Sequence, residues 1–198
     1  MTVVNGYCTL DQVRTHLGDD AAQLPAELLE RAINATSRAI ENWTGRRFWQ
    51  DPAPTVRRFR PTRPSGTDLP DISTTDGLLV EVETVPGTWM PWTLDTDFEL
   101  GPDNADGGAY AWWQLEPIGT QRLPVTGRRT VRVTARWGWS AVPDQVQEAA
   151  ILRAVALFKR KEAVYGVADF GEFGPVRITR ADPDVMDLLR PFQKPMVA

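Results

Sequence analysis

The longest helical stretch of this sequence runs from Pro143 to Tyr165 and contains no internal Gly or Pro. Acidic residues lie near its start and basic residues near its end, as the helix dipole favours. One stripe of the predicted helix comprises Val146, Ala150, Arg153, Ala154, Leu157 and Lys161, and Ile151, Val155 and Phe158 widen it into a broad apolar surface. Such a helix is usually buried on two sides, so we predict that it is the central core helix. The alternative is that part of this surface faces a neighbouring subunit.

Two further helices are predicted near the start of the chain. Thr9 and Gln12 have the spacing of a capping box, and this first, short helix ends at Gly18. The second helix runs from near Pro25 to about Thr44 and ends at Gly45. Its apolar stripe comprises Leu29, Ile33, Thr36, Ile40 and Trp43.

Between residues 51 and 140, alternation of apolar and polar residues replaces the helical period. Predicted strands cover residues 55–60, 78–85, 89–94, 97–100, 112–117 and 130–139, with Pro91 interrupting the third. In the last strand, Val131, Val133 and Ala135 face one way. Short strands separated by turns indicate an antiparallel β region inserted between helical parts.

These patterns predict an α+β fold. It is a small α-helical bundle of two N-terminal helices and one long C-terminal helix, with an inserted antiparallel β region and a C-terminal arm. The predicted boundaries are 1–50 for the N-terminal helices, 51–140 for the β region, 141–166 for the long helix and 167–198 for the arm. Within the arm, Asp182 and Pro183 begin a short helix.

Composition limits the classes of protein to consider. With 198 residues, 42% hydrophobic residues and 24% charged residues, the chain suits one domain, or one domain with a modest insertion. The start lacks the pattern of a signal peptide, and no apolar run approaches the roughly 18 residues that span a bilayer, so we expect a cytosol-like compartment and no membrane. Eight Trp and sixteen Pro suggest rigid loops and large aromatic anchors, both common at permanent interfaces.

The sequence contains no catalytic constellation. Phosphate-cradling Gly–Lys, G-x-S-x-G and CxxC motifs are all missing. The single cysteine, Cys8, and the single histidine, His16, would lie about 12 Å apart on a helix, so we predict a core cysteine and a surface histidine. The acidic cluster at residues 95–106 does not match a calcium loop. We therefore predict no catalytic residue, no cofactor and no metal site.

An arginine-rich stretch comprises Arg46, Arg47, Arg57, Arg58, Arg60 and Arg63. These residues could contact nucleic acid, although the net charge of −4 argues weakly against a non-specific binder. Because they are spread over two elements and mixed with Pro, they could equally form ion pairs between subunits. We predict inter-subunit roles for Arg46, Arg47, Arg57 and Arg58.

Three segments carry a resemblance to a known family: YCTLDQVRTHLG (7–18), AINATSRAIENWTGRRF (32–48) and VRVTARWGWSAVPDQVQEAAILRAVALFKRKEAVYG (131–166). In their order and content they resemble the head–tail connector (head-completion adaptor) proteins of tailed bacteriophages. The segments contain no catalytic signature. The β region of residues 50–130 is longer here than in the smaller members of that family.

The resemblance implies a structural protein rather than an enzyme, located in the neck of the virion and assembled in the host cytoplasm. It implies a ring, usually of twelve subunits, that joins the portal to the tail-completion (stopper) protein and extends the DNA channel. Genomic DNA would pass through without specific binding. The C-terminal segment would reach the portal, with Phe170, Phe173, Val185, Leu188, Leu189 and Phe192 as anchors.

Three alternatives stay open at the level of sequence. One is another neck or tail-completion protein of the virion. A second is a small hydrolase or nucleotide-binding enzyme, which would need a nucleophile–base pair that the sequence does not offer. A third is a DNA-binding module that uses the arginine stretch.

Overall fold

The computed structural model describes residues 2–18, 24–103, 105, 110–164 and 182–194. Over these residues the fold is α+β, as predicted, with four α-helices and a six-stranded antiparallel sheet. The chain divides into two compact units: a helical unit within Met1–Arg46 and Val142–Ala198, and a β unit within Arg47–Ala141. Most of the predicted arm, including Phe170 and Phe173, lies outside the described residues.

The helical unit contains helices α1 (Leu10–Leu17), α2 (Ala26–Thr44), α3 (Asp144–Val164) and α4 (Pro183–Leu189), and a 3-10 turn at Arg190–Phe192 follows α4. Helix α3 packs against each of the other three helices, and α1 also packs against α2. The long helix therefore provides the surface on which the rest of this unit assembles.

The helix ends follow the predicted signals closely. The Thr9 hydroxyl accepts a hydrogen bond from the Gln12 amide, and the Gln12 side chain accepts one from the Thr9 amide, which confirms the capping box. Gly45 ends α2 in the left-handed conformation, as predicted for a C-terminal glycine. Helix α3 begins at Asp144, one residue later than predicted, and the Pro143 carbonyl accepts from the Gln147 amide.

The buried face of α3 is narrower than predicted. Arg153 is exposed and Leu157 is 39% exposed, so their assignment to the core stripe was wrong. Arg153 precedes the buried Ala154 by one position, and Leu157 precedes the buried Phe158 by one position. One position along an α-helix rotates a side chain by about 100° around the axis, which turns Arg153 and Leu157 away from the buried face. The buried side chains are those of Val146, Ala149, Ala150, Ile151, Ala154, Val155 and Phe158.

The β unit contains strands β1 (Thr55–Phe59), β2 (Thr67–Val85), β3 (Thr88–Trp92), β4 (Phe98–Gly101), β5 (Trp112–Pro117) and β6 (Val131–Trp137). The order across the sheet is β1-β6-β2-β5-β4, and β3 pairs with β2. Strands β1 and β4, which come from distant parts of the β region, therefore lie at opposite ends of this order.

Strand β2 is much longer than predicted, because it begins at Thr67 rather than at Leu78. Its first half contains Pro70 and Gly77, which are unusual inside a strand, and its register shifts repeatedly there, so the sequence pattern does not predict it. That half pairs with β5, the second half pairs with β3, and β6 pairs with both halves. The predicted interruption at Pro91 was wrong, because β3 pairs only with β2 among the described strands and an edge strand tolerates a residue without an amide donor.

The core of the β unit is an apolar layer on one face of the sheet. The alternation predicted for β6 is confirmed, with Val131, Val133, Ala135 and Trp137 buried and the intervening residues partly exposed. Residues from the other strands and one loop complete the layer: Leu69, Ile72, Val80, Val82, Trp92, Phe98, Leu100, Leu115 and Leu123. Strand register is fixed by this layer, since a one-residue slip would reverse every side chain.

The turn at residues 137–139 closes the core with three hydrogen bonds. The Trp137 indole donates to the Thr55 carbonyl at 2.8 Å. The Gly138 amide donates to the Asp71 carbonyl at 2.7 Å, and the Trp139 indole donates to the Asp71 carboxylate at 2.9 Å. Asp71 is buried, so the two bonds that it accepts are made away from water, where an unmade bond would be expensive.

Gly138 is required at this turn for two reasons. Its φ angle of +104° lies in a region that side-chain-bearing residues rarely adopt. A Cβ atom at this position would also overlap the carbonyl oxygen of Trp49.

We therefore expect Gly138→Ala to lower the free energy of unfolding by at least about 2 kcal/mol, because backbone strain and a steric clash act together. Chemical denaturation of the purified variant measures this change. Gly127→Ala is the matched control, since Gly127 also has a positive φ, +74°, but no atom lies near its missing Cβ. We expect the control to lose about 1 kcal/mol of unfolding free energy. If Gly138→Ala loses no more than the control, the close approach of Trp49 does not contribute to stability.

Candidate interaction surfaces

Two of the arginines predicted to act between subunits converge on one internal carboxylate. Arg47 donates to Asp51 at 2.7 Å, and the Arg57 guanidinium lies 3.5 Å from the other carboxylate oxygen. The Thr55 hydroxyl donates to that second oxygen at 3.2 Å. Asp51 is only 9% exposed, so this is a partly desolvated cluster within one chain.

The same two arginines also stack on aromatic rings. The Arg47 guanidinium lies 3.9 Å from the ring centroid of Trp49, and that of Arg57 lies 4.6 Å from the ring centroid of Trp137. Burial lowers the pKa of Arg57, the Arg47 charge lowers it further, and the Asp51 charge acts in the opposite direction. Both guanidinium groups are thus engaged inside the β unit.

Arg58 lies apart from the Asp51 cluster, on the opposite face of β1. It pairs in register with Arg132 of β6, and both guanidinium groups lie over the ring of Trp89, at 5.3 and 4.5 Å from its centroid. Arg132 binds the Glu81 carboxylate with two hydrogen bonds, which raise the pKa of Arg132. Arg58 is exposed.

Arg46, the fourth of these arginines, belongs to the helical unit. Its Nε atom donates to the Phe192 carbonyl at 2.8 Å. The Lys194 amide donates to the Thr44 carbonyl at 3.0 Å, which satisfies a carbonyl at the end of α2. Arg46 therefore helps to fasten the chain after α4 to the C-terminus of α2.

The predicted portal anchors divide into three groups. Val185, Leu189 and Phe192 are buried, and α4 packs against α3. Leu188 is half-buried, whereas Phe170 and Phe173 lie outside the described residues. Their binding to a portal stays a prediction, and burial gives the first three a role in holding α4 on the helical unit.

The N-terminal segment follows a path along α2 that the sequence patterns above do not predict. Residues 2–7 bind along one side of α2 through the side chains of Asn34, Ser37, Arg38 and Glu41. These four recur at the three- and four-residue spacing that places side chains on one helix face. A polar stripe beside the apolar stripe of α2 is the sequence signal that could have indicated a bound segment.

Cys8 and His16 do not form a catalytic pair. Cys8 is buried, and burial raises the pKa of its thiol to about 11. His16 is exposed on α1. A thiol with so high a pKa is neutral near pH 7 and is a poor nucleophile, since the thiolate is the reactive form.

The acidic cluster of the β unit is partly structural. The Asp97 carboxylate accepts hydrogen bonds from the Thr93 amide and the Gln121 side chain, both at 2.8 Å. Asp106 lies outside the described residues. Among the residues that the structure describes, no group of three or more His, Cys, Asp or Glu side chains could hold a metal ion, and no helix is long and apolar enough to cross a bilayer.

Comparison with solved structures gives whole-chain matches. Over its full length, the chain is similar to a chain in the neck of an empty gene transfer agent particle computed with C6 symmetry, with 19% identity, 95% of that chain covered and a TM-score of 0.60. It is similar to a chain in the virion of a native gene transfer agent particle, with 18% identity, 95% coverage of that chain and a TM-score of 0.60. A third match is to the neck of the native particle computed with C12 symmetry, with 21% identity, 94% coverage and a TM-score of 0.54.

This chain has the fold of chains found in gene transfer agent particles. The likeness covers the helical unit and the β unit together, and it is consistent with the resemblance to head–tail connectors. No protein-family model matches the sequence, and no curated protein matches it either.

We expect Asp51→Asn to lower the free energy of unfolding by about 2 kcal/mol, because Arg47 and Arg57 would lose the carboxylate that compensates them. Urea denaturation measures the change. Asp68→Asn is the control, since the pair of Asp68 and Arg63 is exposed and 3.7 Å long, and we expect its effect to stay within about 0.5 kcal/mol. Equal effects of the two variants would contradict a special role for the Asp51 cluster.

The raised pKa of Cys8 predicts a loss of stability at alkaline pH. Above the ordinary thiol pKa the unfolded chain releases its proton first and binds fewer protons than the folded chain, so the free energy of unfolding falls as pH rises from about 9 to about 11. Denaturation midpoints compared between wild type and Cys8→Ala isolate this contribution, which the variant lacks. A constant wild-type-to-variant difference across this range would contradict the prediction.

Proposed function

We propose that this chain is a structural protein of the neck of a phage-like particle, where it acts as the head-to-tail adaptor. The observation that carries the proposal is the likeness of fold over the whole chain to chains of gene transfer agent necks. The proposed location is therefore the virion neck, after assembly in the host cytoplasm. The proposed partners are the portal on one side and the tail-completion (stopper) protein on the other.

A ring of identical subunits is part of the proposal. The similar solved necks were computed with C6 and C12 symmetry, which suits copies arranged around an axis. Twelve copies would form a ring that extends the DNA channel of the portal. Each subunit would then present two different surfaces to its two neighbours.

The role proposed is non-enzymatic and does not include specific DNA binding. The neutral, buried thiol of Cys8 and the exposed His16 offer no nucleophile–base pair. Arg47 and Arg57 are held by Asp51, and Arg46 is held by a backbone carbonyl. With these arginines engaged internally, the chain has fewer cations to offer to passing phosphates, and DNA would move through the channel with little adhesion.

Electron microscopy of purified particles tests the location. In particles assembled with this chain carrying a small fused tag, we expect extra density at the neck between portal and tail. Heads made without the chain should hold no attached tails. Tag density at the tail tip or on the capsid surface would contradict the proposal.

For the portal contact, we propose that Phe170, Phe173 and Leu188 contact the portal, while the buried Val185, Leu189 and Phe192 keep α4 in place. Deleting residues 167–198 would remove these buried side chains too, so point substitutions give a cleaner test. We expect Phe170→Ala with Phe173→Ala to weaken binding to portal particles at least tenfold, because aromatic anchors dominate interfaces. The unfolding midpoint should not change. Immobilised portal particles and surface plasmon resonance measure the affinity.

Leu157→Ala is the matched control for this experiment. Leu157 is an apolar residue of the helical unit that is 39% exposed, and it lies outside the proposed portal segment. An unchanged affinity of the double Phe variant, or an equal loss in the control, would contradict the assignment of the segment.

A further inference from the structure

Both ends of the sheet carry like charges directly opposite each other. Arg58 of β1 pairs in register with Arg132 of β6, and Glu99 of β4 pairs in register with Glu116 of β5. Residues in such pairs lie on the same face, and like charges there destabilise an antiparallel sheet. At each end of the sheet, charges of the opposite sign would reduce this repulsion.

At the β1 end, the available carboxylate is already used. Glu81 binds Arg132, and no ion pair of Arg58 occurs among the described residues. Arg60 and Arg129, which are exposed, flank the last registered pair of β1 and β6, Phe59 and Val131. We call Arg58, Arg60 and Arg129 the basic edge.

The β4 end carries four acidic side chains. Asp95, Glu99 and Asp103 are exposed and Glu116 is partly exposed. In the part of the chain that the structure describes, none of these four forms an ion pair. We call them the acidic edge.

The two edges cannot neutralise each other within one copy. Strands β1 and β4 are separated by four strand spacings in the order β1-β6-β2-β5-β4, which is about 19 Å along the sheet. This exceeds the screening length of about 8 Å at physiological salt. Within one copy, the two edges therefore cannot compensate each other.

We propose that the basic edge of one copy binds the acidic edge of the next copy. The two surfaces differ and lie at opposite ends of the sheet, so the contact is head-to-tail and leaves one edge of each kind free for a further copy. Repetition of such a contact closes a ring when the rotation between copies permits it. This inference rests on the proposed ring and assigns its subunit contact to the β unit.

Sedimentation velocity of the full-length chain at low salt tests the contact. We expect wild type to self-associate, with a dissociation constant that rises steeply as salt is added. Glu99→Lys with Glu116→Lys, or Arg58→Glu with Arg60→Glu, should weaken self-association at least tenfold. A chain with all seven edge charges reversed, in which the four acidic residues are replaced by Lys and the three arginines by Glu, should associate with itself again, because the edges have then exchanged signs, but not with wild type.

The single variant Glu99→Lys separates a docking role from a folding role. It replaces a repulsive cross-strand pair by an attractive one, so the thermal unfolding midpoint should rise while self-association falls. A purely structural role for Glu99 would move stability without changing association, and that outcome would overturn the proposal.

The control reverses two exposed charges of the helical unit, Glu148→Lys and Arg153→Glu, and should leave association unchanged. The edge contact is overturned if wild type stays monomeric at every concentration and salt, if the edge variants associate like wild type, or if only the control variant fails to associate. Binding of duplex DNA to the basic edge that displaces the second copy would overturn it as well. The neck role is tested separately by particle density. If the edge variants still give density at the neck, the edge contact is wrong but the neck role stands. If wild-type particles show no density of this chain at the neck, the neck role itself is wrong.

Discussion

The β unit depends on how residues 137–139 pass beneath the carbonyl of Trp49. Only glycine fits at position 138, where the backbone adopts a positive φ and a neighbouring carbonyl occupies the space of a side chain. This close approach orients the indoles of Trp137 and Trp139 towards Thr55 and the buried Asp71. The end of β6 is thereby joined to β1 and to the first half of β2, which the sequence pattern alone did not show as a strand.

Charge in the β unit is distributed unequally between its interior and its ends. Near the buried turn, Asp51 holds Arg47 and Arg57, and the rings of Trp49 and Trp137 cover both guanidinium groups. Cations at this position therefore serve the fold. At the ends of the sheet, like charges face each other in the pairs Arg58–Arg132 and Glu99–Glu116. Glu81 compensates Arg132, whereas Arg58 forms no ion pair among the described residues, and this contrast distinguishes structural arginines from one that can meet a partner.

The helical unit uses α2 to hold both ends of the described chain. One side of α2 binds residues 2–7 through polar side chains, and its C-terminus receives the chain that follows α4. Buried Leu189 and Phe192 keep that chain in place. Residues near both ends of the described chain are therefore fastened to α2 in the helical unit.

The sequence by itself determined the α+β class, the helix ends with their caps, and the alternation of β6, because these depend on local backbone geometry and on the period of apolar residues. It also indicated a buried Cys8 and an exposed His16. Only the tertiary structure decided that β2 begins at Thr67, that α3 turns Leu157 outward, and that Arg47 and Arg57 share Asp51. The first two depend on contacts between residues far apart in the chain, and the third depends on the irregular backbone between α2 and β1, which brings Arg47, Asp51 and Arg57 together. A pattern of apolar and polar residues carries neither kind of information.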